Sequence, residues 1–260
     1  MTDRGRSGNP LWIAYECVAM VIGLGSLALI CLGWLPFALV LNSLLPQRWA
    51  QPIGRGFISN GFRFYLGILE VACACRFDLQ DLDQLRDSGP LIVAANHPSL
   101  LDAVMIVSRL PNAVCVMKAS LMDNLLFGAA ARMARYIRND APLEMILNAR
   151  QVLNDGARLV IFPEGTRTGN FPVDVCSPST GLVANRAKVP VQTVLIEFST
   201  PYLGKAWPLF RRPQLPLRCR IRVGRRFDPP TNVQAFTAEI EAYFRAELGE
   251  NGLSPVRKPA

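Results

Sequence analysis

Two short strings carry most of the chemistry open to this chain: Asn96-His97-Pro98-Ser99-Leu100-Leu101-Asp102 and Phe162-Pro163-Glu164-Gly165-Thr166-Arg167. His97 is the only histidine among 260 residues. Imidazole is also the one side chain whose ordinary pKa suits proton transfer near neutrality. Asp102 stands five positions further on. Inside one helix that separation turns about 140° around the axis, and the two side chains diverge. With His97 just before a helix and Asp102 in its first turn, the carboxylate instead reaches back to one ring nitrogen. It then fixes the tautomer and stabilises the imidazolium formed when the other nitrogen takes a proton. The nucleophile in such chemistry is a substrate hydroxyl. A structural histidine beside a helix-start aspartate has the same spacing, so the pair alone leaves both roles open.

The second string follows an apolar run. Gly165 permits a tight turn, and Arg167 can grip phosphate through two parallel charge-assisted hydrogen bonds. Glu164 can accept from a sugar-like or glycerol hydroxyl, or it can tether the loop. A surface turn with an Arg–Glu pair fits the same residues. Lys118, at the end of another apolar run, is a second candidate for anion contact.

These residues need a scaffold that ends strands beside one another. Leu91–Ala95, Ala113–Met117, Ala134–Ile137, Arg158–Phe162 and Pro190–Glu197 read as short buried strands. Helical patterns fill the gaps over Ser99–Leu110, Ser120–Ala131 and Pro142–Asn154, and the amphipathic stretch Thr231–Leu248 predicts a last helix. The alternation predicts an α/β fold, a mostly parallel sheet flanked by helices. Asp78, Asp81, Asp83, Arg86 and Asp87 read as a polar linker into it.

An N-terminal helical segment associated with a membrane precedes that domain. From Leu11 to Leu45 the charged residue Glu16 stands alone, and no charge occurs from Cys17 to Gln47. One helix over the whole run would measure about 52 Å, against a hydrocarbon layer of about 30 Å. The expectation is a span continuing into an interfacial piece, or a break near Gly33 and Pro36. Arg4 and Arg6 also suit a signal peptide, but the run is too long for one, and the cleavage-like Ser26-Leu27-Ala28 lies inside it. Arg48 and Arg55 follow the run, so the flanking charges do not set orientation. The patch from Gly56 to Cys75 reads as an interfacial helix or as ordinary core, with the interface favoured. Residues 1–76 thus form an anchoring region, 77–250 the α/β domain and 251–260 a flexible tail.

The net charge of +8 favours anionic partners. Seven cysteines are an odd number, two of them (Cys17 and Cys31) within the apolar run. With a single histidine and no Cys-x-x-Cys, neither a disulfide framework nor a metal site is expected. Reduced thiols in a cytosol-facing protein are the reading.

The two strings resemble the glycerolipid acyltransferase superfamily, the lysophosphatidic acid acyltransferase-like proteins. That family carries His-x4-Asp, met here by His97 and Asp102, and Phe-Pro-Glu-Gly-Thr-Arg, met at every position from Phe162 to Arg167. Val189-Pro190-Val191 is similar to a fourth block, an apolar strand lining the acyl site. The resemblance runs from Pro90 to Glu197. An intermediate block, a glycine with Phe-Ile-x-Arg, is poorly kept, and Met133-Ala134-Arg135-Tyr136-Ile137-Arg138 offers Arg138 as its arginine. The resemblance implies acyl transfer from acyl-CoA or acyl carrier protein to the hydroxyl of a lysophospholipid, with no cofactor. His97 and Asp102 would be catalytic. Glu164, Gly165, Thr166, Arg167, Arg138 and Lys118 would bind substrate. It also implies contact with membrane lipid, with the catalytic domain at the cytoplasmic face. The weak block keeps open a non-phosphate acceptor such as an aminolipid; a non-catalytic lipid-binding scaffold is a further alternative. A thioesterase or lipase using Ser99 lacks the Gly-x-Ser-x-Gly elbow.

Between Arg211 and Arg226 lie seven arginines and no acid. A strand over Arg218–Val223 would put arginine on one face and Cys219, Ile221 and Val223 on the other. Anionic head groups, an acidic carrier protein or a charge-protected edge strand would each explain it. Nucleic acid suits the charge but neither the apolar segment nor the motifs.

Overall fold

The first helix begins where Asn9 caps it: the Asn9 side chain accepts from Leu11 N at 3.0 Å, and Pro10 fills the first helical position, where no donor is needed. The computed structural model describes residues 9–251. Arg4, Arg6 and residues 252–260 of the expected tail lie outside them.

Helix α1 runs unbroken over Pro10–Leu44. The break considered at Gly33 and Pro36 does not occur. Pro36 removes one hydrogen bond from the ladder, but packing holds the helix on both sides of it: Trp34 stacks on Phe57 with ring centroids 3.4 Å apart, and Ala38 packs with Ala50, Ala129 and Met133. The chain reverses instead at Leu45, which is extended (φ −94, ψ 137) as the residue before Pro46 prefers. Helix α2 (Gln47–Ala72) returns antiparallel. Tyr15 Oη donates to Ala72 O at 3.0 Å, and Cys73 Sγ to Ala19 O at 3.4 Å.

One face of α2 is core, which corrects the interfacial reading of Gly56–Cys75. Ile58, Tyr65, Leu66 and Leu69 are buried. Arg55, also buried, donates from Nε to Ala134 O (3.1 Å) and from Nη1 to Asn112 Oδ1 (2.9 Å). The hairpin is therefore bolted to the rest of the chain. Its outward face stays apolar and exposed, with Val21, Leu29 and Phe37 from α1 and Phe64 and Val71 from α2. By length and composition α1 is able to cross a membrane.

Among the described residues, the sheet has seven strands in the order β1-β7-β6-β2-β5-β3-β4. They are β1 (Cys75–Asp78), β2 (Ile92–Ala95), β3 (Ala113–Met117), β4 (Ile137–Arg138), β5 (Arg158–Ile161), β6 (Val191–Phe198) and β7 (Leu217–Phe227). All neighbours are parallel except β6 and β7. A parallel sheet must be covered on both faces, and β2 shows the division. Val93 and Ala95 join the core under α2 and α3 (Leu101–Arg109). Ile92 and Ala94 join a second core. That core lies under α6 (Pro142–Asn154), α7 (Ser179–Ala187) and α8 (Val233–Asn251).

Several expectations need correction. The helix expected over Ser120–Ala131 is two helices, α4 (Ala119–Asp123) and α5 (Leu125–Met133). Asn124 splits them, its side chain accepting from Leu126 N and Phe127 N at 2.9 and 3.3 Å. The strand expected over Ala134–Ile137 shrinks to β4 because Arg135 is left-handed at φ 62. The polar linker contains a 3-10 helix, Gln80–Leu85, that buries Leu82 and Leu85. Strand β7 is no edge, since β1 and β6 flank it. Strand β1 straddles the boundary set at residue 76, so the anchoring region leads into the sheet without a joint.

Candidate active site

Strand β2 ends at Ala95, and the turn that follows puts His97 and Asp102 in contact. Asn96 extends the β2–β6 ladder with its side chain, donating to Ile196 O at 2.9 Å and accepting from Ile196 N at 2.8 Å. His97 then stands before α3, and Asp102 sits in the helix's first turn. Their Nδ1 and Oδ2 atoms are 2.8 Å apart. Ser99 N donates to the same Oδ2 at 2.8 Å. An ionised carboxylate only accepts, so the imidazole proton sits on Nδ1 and Nε2 keeps its lone pair. The His97 side chain is 16% exposed and that of Asp102 is 0% exposed. Substrate can reach the ring, and water cannot reach the carboxylate.

Burial raises the Asp102 carboxyl to about 6; the hydrogen bond from His97 and the Ser99 amide oppose that rise. No donor among the described residues reaches Oδ1. Phe162 stacks on the imidazole with centroids 3.9 Å apart and planes 16° from parallel. Ser99 is fully buried and its Oγ accepts from Leu101 N at 3.1 Å. It is packed into the helix start, not presented as a nucleophile.

Strand β5 is the parallel neighbour of β2, so the Phe162–Arg167 turn leaves the sheet beside the His97 turn. Gly165 supplies the bend, at φ 68, and Gly165 and Thr166 are exposed. Glu164 is buried, and both of its oxygens are taken. Oε1 accepts from His97 N and Thr168 Oγ1, each at 2.8 Å, and Oε2 accepts from Asp174 N at 2.8 Å. Thr168 N also donates to His97 O at 2.7 Å. Of the two roles open to Glu164, the geometry supports the tether. Burial raises its carboxyl, against the pull of those three donors. Arg167 Nη1 donates to Leu203 O (2.8 Å) and Gly204 O (2.6 Å), so this nitrogen is spent on the β6–β7 connection.

Arg138 and Lys118 share the carboxyl edge of the sheet with His97 but stand apart from it. With β5 and β3 between β2 and β4, about 14 Å of sheet separates Arg138 from the His97 turn at ~4.8 Å per strand. Arg138 is exposed and pairs with Asp123 at 2.5 Å and Asp140 at 2.8 Å. Lys118 is exposed just past the end of β3. Four residues that build the site escaped the sequence reading as such: Asn96, Phe162, Thr168 and Asp174. Asn96 and Phe162 lie inside the two strings, where adjacency to the motif was a usable signal. Asp174 contributes a backbone amide, which no sequence pattern advertises.

Among known proteins, the family model described as Acyltransferase matches residues 76–197. Human 1-acyl-sn-glycerol-3-phosphate acyltransferase beta is 26% identical over 161 residues, covering 58% of this chain and 54% of that protein. The Pseudomonas aeruginosa 1-acyl-sn-glycerol-3-phosphate acyltransferase is 21% identical over 235 residues, covering 86% and 87%. Against the first three relatives the chain spans 54%, 62% and 48% of their length. The crystal structure of the 1-acyl-sn-glycerophosphate acyltransferase PlsC from Thermotoga maritima shares the fold. It has a TM-score of 0.63 at 17% identity, over 91% of this chain and 97% of that one.

Proposed function

We propose that this chain is a glycerolipid acyltransferase, a reading that the match of the Acyltransferase family model over residues 76–197 supports, and that it moves an acyl group from a thioester to the hydroxyl of a lysophospholipid such as 1-acylglycerol-3-phosphate. The observation that carries the reading is the oriented dyad, with Nδ1 held 2.8 Å from a fully buried carboxylate and the ring still reachable. His97 Nε2 takes the proton of the acceptor hydroxyl as its oxygen attacks the thioester carbonyl. The tetrahedral intermediate collapses, the C–S bond breaks, and the imidazolium returns the proton to the departing thiolate. Asp102 does not exchange protons in this scheme. It holds the tautomer and offsets the charge on the ring. Glu164 keeps the His97 turn in register with the neighbouring strand end.

The donor is acyl-CoA or acyl carrier protein, and the catalytic face works beside a membrane, reached through the exposed apolar side of the α1–α2 hairpin. At about 52 Å, α1 is too long for one perpendicular crossing of a ~30 Å hydrocarbon layer. Its bolted return helix favours lying in the surface.

One observation favours a second acceptor class. Arg138 is held by two carboxylates, and Arg167 gives its Nη1 to two carbonyls. A guanidinium already paired with two carboxylates is a weak phosphate clamp, and Arg167 has fewer donors left for one, which suits a non-phosphate lipid hydroxyl or amine. The test is an acyl-transfer assay on purified chain in detergent. Acyl-CoA and acyl-carrier-protein donors are offered separately, each with lysophosphatidic acid or an uncharged monoacyl lipid as acceptor. Product with lysophosphatidic acid supports the first reading; product with the uncharged lipid alone selects the second. Absence of product from every pairing, with folded protein, removes both.

A further inference from the structure

The connection between β6 and β7, residues 199–216, touches both ends of the machinery. It carries Lys205, Arg211 and Arg212 and no acidic residue. At its base it is fixed to α1: Arg212 ion-pairs with the buried Glu16, and Leu215 N donates to Glu16 Oε1 at 3.1 Å. Trp207 packs in the same core cluster as Trp12 and Tyr15 of α1. On its other side it is fixed to the site. Leu100 N donates to Leu203 O at 3.2 Å, the carbonyl that Arg167 also holds. Gly204 is so close to the His97 turn that a Cβ there would lie 3.3 Å from Pro98 O. Between these two attachments the loop ends in a bare apolar pair, with Leu209 58% exposed and Phe210 78% exposed. The Arg211 guanidinium lies 4.5 Å over the Trp207 ring beside them.

Adjacent large apolar side chains, an amphipathic tryptophan and the Arg211 guanidinium form a segment suited to the boundary between head groups and acyl chains; the other two cations are paired, Lys205 with Asp174 at 3.5 Å and Arg212 with Glu16. We propose that residues 204–212 are a second bilayer contact, inserting Leu209 and Phe210 into an anionic phospholipid surface next to α1. Through Leu203 and Arg167, the same loop sets the height of the His97 turn above the lipid. An acidic carrier protein would be drawn by the cations but gives no reason for the apolar tip. The fixed link to α1, the most apolar helix of the chain, points to lipid. The insertion stands independently of the acyl-transfer reading; only its effect on turnover rests on that reading.

The test uses the full chain in vesicles. Phe210→Trp adds an emitter to the four native tryptophans, and bromine-bearing phospholipids quench emitters at the acyl-chain level. Extra quenching over the parent chain, larger when phosphatidylglycerol is added to phosphatidylcholine, is the expected result. No extra quenching in either vesicle overturns the proposal, and so does an emission change that appears only on adding acyl carrier protein. Extra quenching that ignores phosphatidylglycerol overturns its electrostatic half. In the activity arm, Leu209→Ser with Phe210→Ser is expected to slow acylation of a vesicle-embedded acceptor by about tenfold. Acylation of a short-chain, water-soluble acceptor is expected to persist unchanged. Equal loss on both acceptors overturns the docking role. If the parent chain acylates neither acceptor, the function reading fails while the quenching arm still decides insertion.

Discussion

The turns that follow β2 and β5 lie side by side, yet their polar atoms point to different work. After β2, the two dyad side chains meet and one ring nitrogen is left for a substrate. After β5, Glu164 gives both oxygens to the protein, and Arg167 gives Nη1 to two carbonyls. The longer sequence identity therefore marks the more architectural turn. A motif preserved letter for letter can be a splint for the chemistry rather than the chemistry.

The sharpest way to break this contrast is His97→Ala. Loss of a general base costs on the order of 10²–10⁴-fold in turnover, and the unfolding temperature should hardly move. Near-normal turnover in a steady-state assay would sink the dyad assignment.

Asp102→Asn comes next and separates function from stability. Turnover is expected to fall by about 10²-fold or more, since the amide no longer enforces the tautomer. Stability should move the other way. The native carboxyl sits at about 6, above its ordinary 3.8. Between those values the folded state binds the extra proton, so this group erodes stability as pH rises through the window. Removing the buried charge should raise stability at pH 8 by up to about 3 kcal/mol, two pKa units' worth. Denaturant melts at pH 5 and pH 8 check this; a variant less stable at pH 8 contradicts it. In the parent chain, turnover should fall as pH drops through about 6, when the dyad gains a proton.

Glu164→Ala tests the splint. It strands two backbone amides and a hydroxyl, each worth about 1 kcal/mol or more when left unpaired. The expected signature is a clear fall in unfolding temperature together with lower turnover. Glu164→Gln should recover part of both, because an amide oxygen still accepts. A rise in acceptor KM alone, with stability untouched, would mean that Glu164 binds substrate instead.

The smallest effect is expected from Arg138→Ala, because two carboxylates already occupy the guanidinium. Acceptor KM should change by about twofold or less, in keeping with exposed ion pairs of low net worth. A tenfold rise in KM would put Arg138 back among the head-group contacts.

The sequence disclosed what is local. The apolar runs at β2, β3 and β5 announced themselves because a strand buried on both faces has to be continuous. His97 and Asp102 were legible because six consecutive residues contain the whole geometry. What remained hidden depends on distant partners. Nothing around Ser120–Ala131 shows that α4 and α5 fold onto each other, yet a Cβ on Gly128 would lie 1.9 Å from Met122 O. The alternating arginines of β7 predicted its faces correctly but not its neighbours. Arg222 is shared by Glu197 and Glu247, and Arg225 by Glu239, so much of that charge is spent inside the fold. The occupant of Glu164 could not be read from Phe162–Arg167, since two of its donors come from His97 and Asp174.

The pairing of β1 with β7 also bears on how the molecule is made. Cys75 lies beside Leu217 and Asp78 beside Arg220, so the strand that follows the hairpin waits for β7, the last of the described strands, to be synthesised. The ribosome delivers the apolar α1 and its return helix α2 long before the sheet can close. Contacts so far apart in sequence form slowly. On the membrane reading proposed above, the bilayer would hold α1 and α2 during that interval, so that membrane engagement precedes closure of the sheet rather than following it.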